Sequence, residues 1–395
     1  MSTDSESTVH FPVRLGASLQ DGRYTILRKL GEGVTATTWL VRDEHISDSK
    51  YVAAKILTAE ATIDVDQGIV RELEFLKEVA KNAEERDDEG FEHLPILLDN
   101  FTATSPGGTR HLCLVQTLLS TSVSALRRTA PTKSLPAYMV RNILYMVLQA
   151  LDALHSLDII HTDVKLDNIL FTNALYSLDD AMDAFLAANP AETDGDSPRS
   201  QPIPHEWTYE TEAFQAERMT VALVDLGHGI IAQRAGEQPT AAGFSAPALR
   251  APEVILWSDI GPKMDIWAIG CLTFELLVGR WLFHPEDAQP DWSVEDDHLA
   301  KMMELTGQKF PDTMLARAKE RDKYFDENGN LLRIPDLVPV KLEDAMANYN
   351  IPGLTKDEIE LAANFIRDCL KFDYKERASA KELIKHPFLK NVFGC

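Results

Sequence analysis

The sequence predicts an α+β fold in two lobes, a small strand-rich lobe followed by a larger helical one. Three observations carry this expectation. The chain has 395 residues, too long for one hydrophobic core and sufficient for two. Its first third consists of short runs rich in Thr, Val, Ile and aromatic residues, separated by turn chemistry. From Ser120 onward the apolar residues recur at helical spacing. Strands followed by helices in this way pack as separate lobes with a cleft between them.

Taken in order, residues 1–20 are polar and expected to be mobile. The upper lobe is expected over 21–119 and the lower lobe over 120–391. YTILRKLGEG from Tyr24, TTWLVRD from Thr37 and YVAAKIL from Tyr51 to Leu57 read as strands. Asp66 to Asn82 carries Ile69, Val70, Leu73, Leu76 and Val79 at helical spacing, and the acid-rich residues 84–92 end it. HLCLVQTLL from His111 is a further strand. Tyr138 to Leu157 predicts an amphipathic helix and Asp265 to Leu282 one buried by its composition. Residues 172–219 break the pattern, with ten acids against two arginines and with Pro190, Pro198, Pro202 and Pro204. They read as an acidic insertion, mostly disordered, with a short helix at Leu178 to Ala188. No internal repeat is present.

Composition excludes several classes of function. The 39 basic and 62 acidic residues leave a net charge of -23, which repels nucleic acid and favours a basic partner, although surplus acid also serves solubility. Cys113, Cys271, Cys369 and Cys395 have neither metal-ligand nor paired spacing, so free thiols and a reducing compartment are expected, the cytoplasm and also the nucleus. MSTDSESTVH lacks the basic and apolar regions of a signal peptide. The most apolar stretch, Ile266 to Phe283, contains Glu275 and Arg280, so no membrane association is expected, and the chain is expected to be monomeric.

The chemistry lies in IHTDVKLDNIL, Ile160 to Leu170. Asp163, Lys165 and Asn168 are spaced so that an acceptor for a hydroxyl proton, a cation for phosphoryl oxygens and a metal ligand leave one loop, nearly the full set that phosphoryl transfer requires. Alone, D-x-K-x-x-x-N also describes a solvated polar loop. Further elements follow in order: LGEGVTATT from Leu30 to Thr38, Lys55 in its strand, Glu72 at the head of a helix, VDLG from Val224 to Gly227, LRAPE from Leu249 to Glu253, DIWAIG from Asp265, and Arg377 in YKERAS.

Together these resemble the eukaryotic protein kinases over roughly Tyr24 to Leu389. The resemblance implies a bilobal kinase fold using ATP and Mg²⁺, with Asp163, Lys165, Lys55 and Glu72 as catalytic residues. Glu74 is the rival for the partner of Lys55; Glu72 is preferred because Leu76 then faces the core one turn on. Leu30, Gly31, Glu32, Gly33, Val34 and Thr38 would cover the nucleotide. Ala53 and Lys55 would contribute from the following strand, and Gln116, Thr117 and Leu119 from the connection between the lobes. Asn168 and Asp225 would hold the metal. Glu253 with Arg377, and Asp265 as a backbone clamp, would be structural. Within these kinases, Thr162 in place of arginine, the D-L-G element, the insertion and WSVEDDHLAKMMELTG from Trp292 to Gly307 resemble the SR-protein kinases, which phosphorylate arginine-serine-rich proteins. That implies a basic, Arg/Ser-rich substrate, docked on Glu295, Asp296 and Asp297 unless these acids only begin a helix. Ala36, Ala246 and Leu249 depart from the family pattern. A nucleotide-binding pseudokinase and an acidic scaffold are the alternatives.

Overall fold

The computed structural model describes residues 10–47, 50–172, 178–232, 245–349 and 354–390. The first strands form one antiparallel sheet from β1 (Ser18–Leu19), β2 (Tyr24–Glu32), β3 (Ala36–Asp43), β4 (Tyr51–Leu57), β5 (Leu97–Thr104) and β6 (Arg110–Gln116), in the order β1-β2-β3-β4-β6-β5. Tyr24, Ile26, Trp39, Val41, Val52 and Ala54 form the core of one face. The helix expected over Asp66 to Asn82 begins only at Glu72: α1 (Ala59–Asp66), capped by Thr58, ends where it was expected to start, and α2 (Glu72–Glu85) follows. Gly68 at φ +71 turns the chain between them, and Ile69 is exposed.

β7 (Leu119–Ser122) leads into the lower lobe through α3 (Val123–Thr129) and α4 (Ala137–Ser156). The catalytic loop lies between β8 (Ile159–Ile160) and β9 (Ile169–Thr172). After α5 (Asp179–Ala188), the small β10 (Thr193–Asp194) and β11 (Ser197–Pro198) hairpin and α6 (Ala213–Ala216) comes β12 (Val221–Leu223), which pairs with β9, while β13 (Ile230–Ile231) pairs with β8. α7 (Pro252–Leu256) precedes α8 (Lys263–Val278), which is buried along its length. α8 ends four residues before the expected Leu282. Gly279 adopts φ +77 there, and a Cβ on it would come within 2.1 Å of the Thr132 carbonyl. α9 (Val294–Thr306), the short α10 (Asp312–Leu315), α11 (Arg321–Tyr324) and α12 (Leu342–Ala347), then α13 (Lys356–Cys369) and α14 (Ala380–Leu383) complete the lobe.

Two expectations fail for a common reason, which is packing. Residues 10–17 lie on the upper sheet, with Phe11 edge-on to His111 at 5.2 Å; residues 1–9 are outside the described set. The described insertion is ordered against both lobes. Met182 and Ile203 are buried with Leu40 and Tyr51 of the upper sheet. Trp207, Ala216 and Met219 join the lower core, where the Asn142 amide donates to the Ala216 carbonyl at 3.0 Å. The helix read at Leu178 to Ala188 is α5, tied to the sheet by Lys50–Asp183 at 2.9 Å.

Candidate active site

A cavity of about 510 Å³ lies between the lobes. Its roof is the β2–β3 hairpin and Ala53 of β4, its back wall Gln116, and its floor Leu170 and Val224. The antiparallel register sets Thr38 opposite Lys55, and Ala53 opposite both Leu40 and Gln116, so these side chains come to one place by strand pairing.

Lys55 is held from two sides. Its Nζ lies 2.6 Å from Glu72 Oε1 and 3.0 Å from Asp225 Oδ1. Burial alone would lower the ammonium pKa; the carboxylates of Glu72 and Asp225 outweigh it and raise it above the ordinary lysine value. Lys55 in turn holds Asp225 well below the usual carboxylate range, against burial. Glu74 pairs instead with Arg71 on the surface, so Glu72 is the partner. Asp225 reaches this position in a left-handed conformation, φ 72 and ψ 72. Gly227 follows where a Cβ would lie 3.2 Å from Asp225 Oδ1 and 3.5 Å from Glu72 Oε2. Leu226, standing for phenylalanine, is buried.

The loop below is clamped through its backbone. Asp265 accepts from the His161 and Thr162 N–H groups at 2.9 and 2.8 Å, which holds Thr162 at φ 68. In this loop Lys165 Nζ is 2.5 Å from Asp163 Oδ2. The Asn168 amide nitrogen donates to the Asp163 carbonyl and carboxylate at 2.9 and 3.1 Å, which commits the nitrogen and leaves the amide oxygen for a cation. Oxygens of Asp163 and Asp225 and a ring nitrogen of His228 lie within 4.8 Å of one another. Glu253 and Arg377 form a buried two-bond pair at 2.5 and 2.9 Å.

Of the expected nucleotide residues, Leu30, Gly31, Glu32, Gly33, Thr38, Ala53, Gln116, Thr117 and Leu119 line the cavity together with Lys55 and Asn168. Val34 does not; it stands at the hairpin tip, 80% exposed. Sequence reasoning missed Thr35, Leu170 and Val224, although the last two sit in the apolar strands beside motifs already identified. It also missed Pro202 and Ile203 of the insertion, whose signal was a branched apolar residue between two prolines.

The docking expectation is corrected at Asp296. Asp296 is buried, completes a capping box with Ser293 and pairs with Arg333 at 2.8 Å, so it is a structural cap of α9. Asp297 pairs with Lys301 at 2.7 Å. Glu295 alone keeps a partly open carboxylate, 4.0 Å from Arg250. Beside the catalytic loop, the Ser245 hydroxyl donates to the Thr162 carbonyl at 2.6 Å. Ala246 and Leu249 line a second cavity of about 310 Å³ with Lys165 and Trp281. Thr240 lies outside the described residues.

The protein kinase domain matches residues 24–389 of the chain. A serine/threonine protein kinase of Aspergillus fumigatus is 30% identical over 96% of this chain and 87% of its own length. The serine/threonine-protein kinase SRPK of Physarum polycephalum is 29% identical over 97% and 89%. SRSF protein kinase 3 of Mus musculus is 24% identical over 96% and 88%. A crystallised kinase domain superposes with a TM-score of 0.68 at 22% identity, over 98% of this chain and all of that one. The chain belongs to the protein kinase family, is a serine/threonine protein kinase, and resembles the SR-protein kinases.

Proposed function

We propose that the chain transfers the γ-phosphoryl group of ATP, with Mg²⁺, to serine or threonine of a basic, Arg/Ser-rich protein. The observation that carries the transfer chemistry is the pair of charge clusters across one cavity, Lys55 between Glu72 and Asp225, and Asp163 bonded to Lys165 and Asn168. The cavity volume suits a nucleotide. A carboxylate and an amide oxygen form a hard donor set that fits a magnesium ion retaining its waters. Bound there, the ion neutralises charge on the phosphate oxygens.

Each side chain then has one role. Lys55, locked by Glu72, binds the inner phosphates through its ammonium. Asp225 and the Asn168 oxygen hold the ion. Asp163 orients the substrate hydroxyl and takes its proton, and Lys165, bonded to the same carboxylate, offsets charge on the transferred group. Their mutual bonds fix these groups before substrate arrives, so little reorganisation is left for the reaction.

The basic-substrate reading rests on the net charge of -23 and on the names of relatives such as SRSF protein kinase 3, not on the α9 acids. Radiolabel transfer to an arginine-serine peptide and to a generic basic protein, each compared with Asp163→Ala, tests both levels. Equal labelling of the two substrates refutes the specificity. Labelling by Asp163→Ala at the native rate refutes the mechanism.

A further inference from the structure

Residues 201–204 run along the nucleotide cavity, which Pro202 and Ile203 line. The Gln201 N–H donates to the Lys29 carbonyl at 2.8 Å, in the roof strand β2, and the Thr121 N–H in β7 donates to the Ile203 carbonyl at 3.0 Å. The segment is therefore bonded to the chain above the cleft and to the connection below it. Ile203 has no solvent exposure and packs with Leu40, Tyr51 and Met182, against Leu27, Leu30 and Leu118. Leu30, like Leu119, lines the cavity, so the Ile203 anchor reaches groups that would contact a nucleotide. Pro202 is exposed to solvent and also lines the cavity.

The sequence Pro202-Ile203-Pro204 suits a wall. Each proline fixes its own φ and drives the preceding residue into an extended conformation, so the segment is a stiff rod before it docks. The prolines also lack N–H donors, so the rod cannot continue as a full sheet strand. Lys55 and Asp225 mark the phosphate end of the cavity, which leaves the base and ribose at the end that the rod lines.

We propose that this strap is a specificity element of the nucleotide site. Ile203 is its positioning residue, and Pro202 closes the cavity against nucleotides carrying bulk on the part that points out of the cleft. The proposal rests on the nucleotide reading above.

The test uses the whole chain with Mg²⁺ and reads direct binding of ADP and of ADP carrying a fluorescent N-methylanthraniloyl group on its ribose. Pro202→Ala, at an exposed position, is expected to raise the affinity for the labelled nucleotide relative to that for ADP about tenfold. Ile203→Ala, checked by its melting curve, is expected to relax the same discrimination by releasing the anchor; should it not fold, Ile203→Val replaces it. An unchanged ratio of the two affinities in the Pro202 variant overturns the wall. An unchanged ratio in the folded Ile203 variant overturns the positioning role. Failure of the native chain to bind either nucleotide would overturn the nucleotide reading itself, a distinguishable result.

Discussion

Met182→Ala is the sharpest perturbation of the insertion. Met182 lies on α5 with no exposed surface, between Leu40 and Tyr51 of the upper sheet and Ile203 of the strap. Truncating a buried methionine costs about 2–5 kcal/mol, and the low end applies where neighbours can close the gap, as at this edge cluster. Other links from α5 to the sheet include the Lys50–Asp183 pair, the Tyr51–Asp183 hydrogen bond, the Lys50 N–H to Asp179 bond, the Arg28 bond to the Asn189 carbonyl, Arg28 over the Phe185 ring, and Phe185 and Leu186 against the same cluster. All of these lie within the insertion and the sheet edge, apart from the lower core, so the loss should appear as local opening of α5 rather than global unfolding. A loss of about 2.7 kcal/mol raises the opening constant roughly a hundredfold. Amide hydrogen exchange over residues 179–188 should accelerate by that factor while α8 is unchanged. Leu178→Ala, at a position 72% exposed, is the control and should move nothing. Exchange in α5 already at the rate of an unfolded peptide in the native chain, or unmoved by Met182→Ala, would refute the packed insertion and restore a free linker.

The other predictions separate chemistry from structure. Asp225→Asn should lower transfer at least about a hundredfold while the melting curve stays close to native, because its carboxylate serves Lys55 and the ion rather than the core. Asp296→Asn should destabilise by about 1–3 kcal/mol through the lost cap and the Arg333 bond, with KM for a basic peptide unchanged; a selective rise in KM would return Asp296 to a docking role. His298 packs on Phe283, and burial, then Arg250 and Lys301, push its pKa down to about 3. In the unfolded chain it titrates near ~6.5, so between these values the unfolded state binds the extra proton. Its neutral burial is therefore fully compatible with folding above ~6.5, and stability should fall by about 1.4 kcal/mol per pH unit below that. His298→Leu should remove one proton's worth of that slope in denaturant titrations between pH 6 and 4; an unchanged slope would place the acid sensitivity elsewhere.

What could be read from the sequence, and what could not, divides by the range of the interactions involved. Asp163, Lys165 and Asn168 were legible because one loop carries them, and their mutual bonds at 2.5 and 3.1 Å are local in the chain. Glu72 and Asp225 were placed by resemblance, yet the geometry has a simple cause: the start of α2 and the left-handed turn after β12 bring both carboxylates to the one ammonium of Lys55. Val34 was misread because motif membership does not specify which side of a hairpin tip a side chain occupies. The acids of α9 show the same ambiguity in charge. Glu295, Asp296 and Asp297 are favoured at a helix start whatever else they do, and only the burial of Asp296 against Arg333 assigns it to the fold. The insertion was the largest misreading. Its composition, rich in acid and proline, is that of a chain unable to build its own core. It need not build one, because Met182, Ile203 and Trp207 are each buried against apolar surface that the lobes already present. Local composition measures whether a segment folds alone; it carries no information on whether a partner surface is waiting within the same chain.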